Sequence, residues 1–276
     1  QRCRFAYRNK SIEPLIYGFK EDPRLINVKL EQKTLFRDPF TILKKDEGKN
    51  ILFIGGSSVY GIYNDRFHTF AYLLQKKVSG ISCLNAGKPA GTSNDFLDIL
   101  KQCCEKYVIP DMVIFYAGYN DIFWPEIYPN WILNRFRKYR FLARTIREKL
   151  IYPDRQKKKD FKFRIEYIKK FEHNMERCIQ FAQSQHLNVV LIPEVLANKV
   201  FEVHGGLYDF GWYGQLYKEV PEVLDNLAQK YNGYFFAPQN ELLTDWKIYF
   251  IDPVHLTDQG NEVLSMFLVH NLPPDK

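Results

Sequence analysis

Apolar residues in this chain gather into short unbroken runs separated by stretches with helical spacing. The runs are Ile51 to Ile54, Ile81 to Leu84, Met112 to Tyr116, Val189 to Ile192 and Tyr234 to Phe236. A strand that reads as a continuous apolar run is buried on both faces, because neither set of alternating side chains meets water. Between the first two runs, Phe67, Phe70, Ala71, Leu74 and Val78 fall on one helical face, and between the second and third so do Phe96, Ile99, Leu100, Cys103 and Tyr107. Ile168, Phe171, Met175, Cys178 and Ala182 precede the fourth run, Val220, Val223, Leu227 and Tyr231 the fifth, and a last helix is expected after His255. Strand and helix alternate, which predicts an α/β protein: a three-layer α/β/α sandwich around a five-stranded parallel sheet.

Two regions fall outside this rhythm. Residues 1–48 precede the first strand and are expected to pack on the core as an irregular arm, leaving 49–276 as the domain proper. The stretch at about 122–163 is too long for an ordinary loop and reads as an insertion with its own helices. It carries much of the chain's charge. From Arg135 to Lys170 there are 15 Lys and Arg against Glu148, Asp154, Asp160 and Glu166, a local excess of +11 in a chain of net +7, so the remainder is net acidic. A segment of this density suits an anionic membrane surface or a polyanionic glycan, or is a solvated face that keeps the insertion in water. No nucleic-acid reading motif accompanies it.

Composition narrows the class further. With 276 residues, 46% hydrophobic and 26% charged, the chain can build a sizeable core and is neither collagen-like nor disordered. No apolar run approaches about 18 residues, so no segment is expected to span a bilayer as a helix. The sequence begins at Gln1 without a charged-then-apolar leader, and the expectation is a processed or truncated chain whose export signal or anchor, if it has one, lies upstream. Cys3, Cys83, Cys103, Cys104 and Cys178 form an odd, scattered set that fits neither a disulfide framework nor zinc spacing, and they read as core thiols. His68, His173, His186, His204 and His270 lack ligand spacing, so neither a metal nor a cofactor is expected.

Ligands of an open parallel sheet gather beyond the carboxyl ends of its strands. The segments there are Gly55-Gly56-Ser57-Ser58-Val59-Tyr60-Gly61, Asn85 to Ser93, and Gly118-Tyr119-Asn120-Asp121, and a fourth block, Asp252-Pro253-Val254-His255-Leu256-Thr257-Asp258-Gln259-Gly260, lies near the C-terminus. Each alone has an ordinary explanation as a cap, a turn or a satisfied imidazole. Gly56 to Gly61 has Walker spacing, but Ile62-Tyr63 stands where Lys-Ser/Thr is needed, so it is no nucleotide loop.

Together, in this order, the four blocks resemble those of the SGNH (GDSL-type) esterases and acyltransferases, over about residues 48 to 270. Gly55-Gly56-Ser57 with Gly61 looks like the first block, with Gly56 in place of the commonest form's Asp. Asn85 to Ser93 looks like the second, with Ala90 where the family has its glycine. Gly118-Tyr119-Asn120-Asp121 looks like the third, and Asp252-x-x-His255-Leu-Thr-x-x-Gly260 like the last. The resemblance implies a flavodoxin-like SGNH hydrolase fold, Ser57 as nucleophile, and the N–H of Ser57, the N–H of Ala90 and the amide of Asn120 as the oxyanion hole. It also implies an extracytoplasmic setting, periplasmic or in the cell envelope, since the arm Pro14 to Lys20 looks like that of some envelope-associated members.

The residues support the same chemistry on physical grounds. A serine hydroxyl needs a base, an imidazole is the natural one near neutrality, and Asp252, three residues before His255, can turn back onto its other ring nitrogen. Ser58 is the rival nucleophile. Aromatic residues crowd the loop after Asn120 and the segment from His204 to Tyr213, and Tyr119, Trp124 and Trp212 are candidate substrate-binding rings that could stack on a sugar or hold a lipid chain. The expected activity is a serine esterase removing acyl groups, O-acetyl above all, from an envelope carbohydrate. An O-acyltransferase using the same triad and a non-catalytic glycan- or membrane-binding protein are the alternatives.

Overall fold

The computed structural model describes residues 35–38, 40–44, 46–123, 161–197 and 217–273. The insertion, with Trp124 and most of the basic stretch, the segment with Trp212, and the arm before Leu35 lie outside the described residues. Five strands, β1 (Lys49–Gly55), β2 (Ile81–Asn85), β3 (Met112–Ala117), β4 (Asn188–Pro193) and β5 (Tyr234–Phe235), form one sheet in the order β2-β1-β3-β4-β5. Every neighbouring pair is parallel. This is the flavodoxin-like order, and it reverses direction between β1 and β3.

The side-chain period of two sorts the strands' apolar residues into two cores. Leu52, Ile54, Leu84, Val113, Phe115, Val189 and Leu191 face one side; there they meet α3 (Ser93–Lys106), α5 (Phe161–Ser184) and α6 (Glu219–Lys230) through residues such as Phe96, Leu100, Phe171, Met175 and Leu224. Ile51, Phe53, Cys83, Ile114, Tyr116, Val190 and Ile192 face the other, against Phe70 and Leu74 of α2 (Phe70–Lys77) and Leu264 and Leu268 of α9 (Asp258–Asn271). Both faces are covered, which is why these strands read as unbroken apolar runs. Four short helices complete the described chain: α1 (Ser57–Tyr60), α4 (Tyr119–Phe123), α7 (Gln239–Leu243) and α8 (Trp246–Tyr249). No helix among the described residues is long and apolar enough to cross a membrane.

Two local expectations need correction. Phe67 is not part of the second helix: Thr69 caps α2 by accepting from the Tyr72 N–H, and Phe67 lies before it, 42% exposed, its ring edge-on to Tyr72. Tyr107 likewise caps the end of α3 and is exposed. Cys83, Cys103 and Cys178 are free and buried, and burial pushes the thiols of Cys103 and Cys178 up to about 12. At that value they stay protonated and unreactive.

The described part of the arm docks beside β2 and α1. The Arg37 N–H donates to the Asn85 carbonyl at 2.9 Å, and the Asp38 carboxylate, 4% exposed, accepts from Thr69 Oγ1 at 2.5 Å and Asn85 Nδ2 at 2.7 Å. Asn85 Nδ2 also donates to the Val59 carbonyl within α1 at 2.8 Å. The asparagine of the second block thus fastens arm, strand and the turn that carries Ser57 together.

Candidate active site

Beyond the carboxyl end of β1, the chain turns sharply at Gly55 and Gly56 into the single turn of α1, which begins with Ser57. Asn120 emerges on the adjacent strand's exit, at the start of α4 after β3. The two therefore flank the point where strand order reverses, the crevice such sheets use for ligands.

The imidazole comes from the far end of the chain. After α8 the backbone folds back on itself: the Ile251 N–H donates to the His255 carbonyl at 2.9 Å, the Thr257 N–H donates to the Tyr249 carbonyl at 2.9 Å, and Phe250 and Leu256 form an antiparallel bridge. Asp252 Oδ1 accepts from the N–H groups of Val254 and His255 at 3.0 and 2.9 Å, which closes the loop as an Asx turn and leaves Oδ2 for the ring. Leu256 is buried, Thr257 caps α9 through Gly260 N–H at 3.1 Å, and a Cβ on Gly260 would stand 2.2 Å from the Tyr249 carbonyl oxygen. Each marked position of the last block thus serves one tight reversal that presents His255.

His255 Nδ1 lies 2.6 Å from Asp252 Oδ2, and His255 Nε2 lies 2.7 Å from Ser57 Oγ. A carboxylate at Nδ1 fixes the proton there, so Nε2 accepts from the serine hydroxyl. Tyr63 packs edge-on against the imidazole, ring centroids 5.0 Å apart. Burial alone would raise the Asp252 carboxyl and depress the imidazole. For Asp252 the charge and hydrogen bond of His255 and the two backbone donors prevail, holding it below the usual range. For His255 the charge and hydrogen bond of Asp252, with the charge of Glu194, prevail and raise it above its ordinary 6.5. Ser58, the rival nucleophile, is buried and points away, its Oγ 3.5 Å from the Val254 carbonyl oxygen.

The sequence expects three oxyanion donors: the Asn120 amide and the N–H groups of Ser57 and Ala90. Asn120 Nδ2 donates one proton to the Gly91 carbonyl at 2.8 Å, which orients the amide, and it lies 2.6 Å from the place a Cβ would occupy on Gly56. The N–H groups of Ser57 and Ala90 have no hydrogen-bond partner among the described residues. Ala90 holds φ +58°, the left-handed conformation that glycine adopts without cost. Asp121, next to Asn120, accepts from the Ser93 N–H and Oγ and so anchors the start of α3; burial pushes its carboxyl up to about 6.

Of the substrate-binding rings expected from sequence, only Tyr119 is among the described residues. It is 8% exposed and packed in the core, so its ring is a packing element and not a stacking face for a sugar. Two further residues at the site carry no mark in the sequence. Glu194, after β4, is buried with its carboxyl facing Tyr119 and Ser58, and Tyr63 rests on the imidazole. Neither stands in a local pattern that would single it out. Among the described residues no group of His, Cys, Asp and Glu is placed to hold a metal ion.

No family model matches the chain, and no curated protein does. Solved structures do match. A member of the lipolytic protein G-D-S-L family from Veillonella parvula superposes with a TM-score of 0.57 at 12% identity, covering 81% of this chain and 97% of its own. An acetylxylan esterase from Geobacillus stearothermophilus gives 0.51 at 17% identity, covering 83% and 96%. A further acetyl xylan esterase gives 0.52 at 18% identity, covering 81% and 100%. At these identities the likeness is one of fold: the chain has the three-layer α/β/α architecture of the SGNH hydrolases.

Proposed function

We propose that this chain is a serine ester hydrolase of the SGNH (GDSL) type, with Ser57 as nucleophile, His255 as general base and acid, and Asp252 as the group that orients and charges the imidazole. The observation that carries the reading is the unbroken line Ser57 Oγ, His255 Nε2, His255 Nδ1, Asp252 Oδ2, with 2.7 and 2.6 Å contacts joining residues 198 apart in sequence. An imidazole and a carboxylate held this close to a serine at a strand end have a use in acyl transfer that packing alone does not require.

In the acylation step, Ser57 Oγ bonds to the ester carbonyl carbon while its proton passes to His255 Nε2. The Asp252 carboxylate stabilises the imidazolium that forms. Negative charge grows on the former carbonyl oxygen, and the N–H groups of Ser57 and Ala90 and the second proton of the Asn120 amide are the donors available to it. One such donor is worth about 10²–10³ in turnover. When the tetrahedral species collapses, the carbon–oxygen bond to the alcohol breaks, and the imidazolium returns its proton to that alcohol. Water then attacks the acyl-Ser57 ester by the same route, with His255 again as base, and frees the acid.

For substrate we favour small acyl groups, O-acetyl in particular, on a carbohydrate. Two of the similar folds are acetylxylan esterases, and Ala90 adds a methyl group where the second block of the family has a glycine. The test is hydrolysis of nitrophenyl acetate against nitrophenyl octanoate, with fluorophosphonate labelling and peptide mapping. Label on Ser57 and preference for acetate are expected. Label on Ser58, or no label on a folded protein, overturns the assignment.

A further inference from the structure

The site contains a second buried acid that the proton relay does not use. Glu194 stands one residue beyond β4 and is 2% exposed. Its backbone is held at both polar atoms: its N–H donates to the Ala117 carbonyl at 3.0 Å, and its carbonyl accepts from the Tyr217 hydroxyl. The next residue is fixed as well, since the Val195 N–H donates to the Tyr116 hydroxyl at 3.1 Å. The side chain therefore leaves a rigid base. Its Oε2 accepts from the Tyr119 N–H at 2.8 Å.

That donor is not arbitrary. Tyr119 directly precedes Asn120, and its N–H, at the first position of α4, has no carbonyl of that helix to bond. An apolar side chain would fill this space at less cost than a carboxyl removed from water, so the acid is worth its desolvation only for what it holds.

We propose that Glu194 is a positioning residue of the hydrolytic site, its carboxyl holding the Tyr119 N–H so that Asn120, the next residue, keeps its place beside Ser57. The inference rests on the serine hydrolase reading and deepens it. The bond ties the exit of β3 to that of β4. A displacement of about 1 Å in such a constellation can cost about 10² in rate, which is the scale at stake. The groups facing the carboxyl are Tyr116 from β3, Tyr119 and Asp121 from α4, Ser58 from α1, His255 from the hairpin before α9, and Tyr217 ahead of α6. None of them is basic apart from His255, so among the described residues the carboxyl has no guanidinium or ammonium partner that would make it a simple ion pair.

Length and charge can be separated by two substitutions. Glu194→Gln keeps the span and an oxygen for the Tyr119 N–H, whereas Glu194→Asp keeps the charge and is one methylene too short. We expect Glu194→Asp to lower kcat about 30- to 100-fold and Glu194→Gln about fivefold or less, KM staying within about threefold in both because the residue does not touch substrate. Amide exchange at Tyr119 should quicken in the Asp variant and remain slow in the Gln variant. Equal losses in the two, a greater loss in Gln, or a lowered Tm with parental kcat in Asp each overturn the inference. Should the Asp variant not fold, Glu194→Met keeps the volume and removes the acceptor of the Tyr119 N–H; kcat is expected to fall about 30- to 100-fold, and parental kcat overturns the inference. An active parent with indifferent variants defeats only the role of Glu194. A folded parent that neither hydrolyses esters nor takes the fluorophosphonate defeats the hydrolase reading, and the positioning role with it.

Discussion

The amide nitrogen of Asn120 stands 2.6 Å from the place where a Cβ would project from Gly56, closer than a Cβ can come unless the amide shifts. Gly56 occupies the place held by Asp in the commonest form of the first block, and here the glycine is what lets the amide lie beside Ser57. The clash would be with the end of a side chain, which can swing aside at little cost to the fold. Gly56→Ala is therefore expected to melt within about 3 °C of the parent while kcat falls about 10- to 100-fold, because the amide loses its aim. Parental kcat in a well-folded Gly56→Ala would show that Asn120 is not an oxyanion donor.

Ala90 presents the opposite case, a side chain where none is wanted. At φ +58° its Cβ costs about 1 kcal/mol or more, while a glycine would lose more conformational freedom on folding, about 0.4–1 kcal/mol. The two nearly offset, so Ala90→Gly is expected to leave stability unchanged or raise it by up to about 1 kcal/mol in urea unfolding. The added room should also raise turnover of esters with longer acyl chains relative to acetate. A loss beyond about 1 kcal/mol would mean that the Ala90 methyl is needed for packing.

The contrast between these positions and Glu194 shows what a sequence of this kind carries. β1 to β4 are legible because both of their faces are covered, so that continuous apolar runs mark them directly. Phe67 misleads because it falls three residues before Phe70, in helical register, while the hydroxyl of Thr69 ends the helix between them. Ser57, Asp252 and His255 are legible because each sits in a local pattern dictated by its own turn. Glu194 is not, since a lone glutamate after a strand looks like any other. Its partners are supplied by the fold, the bond to Tyr119 reaching 75 residues back. Asp38 is hidden for the same reason, its bonds spanning 31 residues to Thr69 and 47 to Asn85.

The raised imidazole sets the acid limb of activity. His255 works as a base only when neutral, so kcat/KM should rise with pH through a midpoint above 6.5, the ordinary histidine value from which Asp252 and Glu194 lift it. Asp252→Asn removes both the charge and the carboxylate that holds the proton on Nδ1. Turnover should fall about 10³- to 10⁴-fold, and the midpoint of the residual activity should move to lower pH. A midpoint that stays in place or rises in the Asn variant would show that Asp252 is not what raises His255.

Stability should follow a different pH course from activity. Burial pushes Asp121 up to about 6 and Glu194 up to about 7, above the 3.8 and 4.5 these groups have when exposed. The folded chain thus binds protons that the unfolded chain has released, so the stabilisation is complete below the exposed values and is lost as pH rises through the folded ones. Asp252 acts oppositely: held below 3.8, it stabilises the fold above that pH, and its contribution is lost only as pH falls through its folded value. Between pH 5 and 8 the two raised acids and the raised His255, whose stabilisation is likewise lost as pH rises through its folded value, act in the same direction, and the Tm should decline across that window. A tenfold difference in proton affinity between folded and unfolded chain corresponds to about 1.4 kcal/mol, and each kcal/mol moves the Tm of a chain near this size by about 2–4 °C. The decline should therefore amount to several degrees, and Glu194→Gln, which has no proton to lose, should flatten it. A Tm that climbs from pH 5 to 8 in the parent, or declines as steeply in the Gln variant, would mean that the Glu194 carboxyl is already ionised at the lower end.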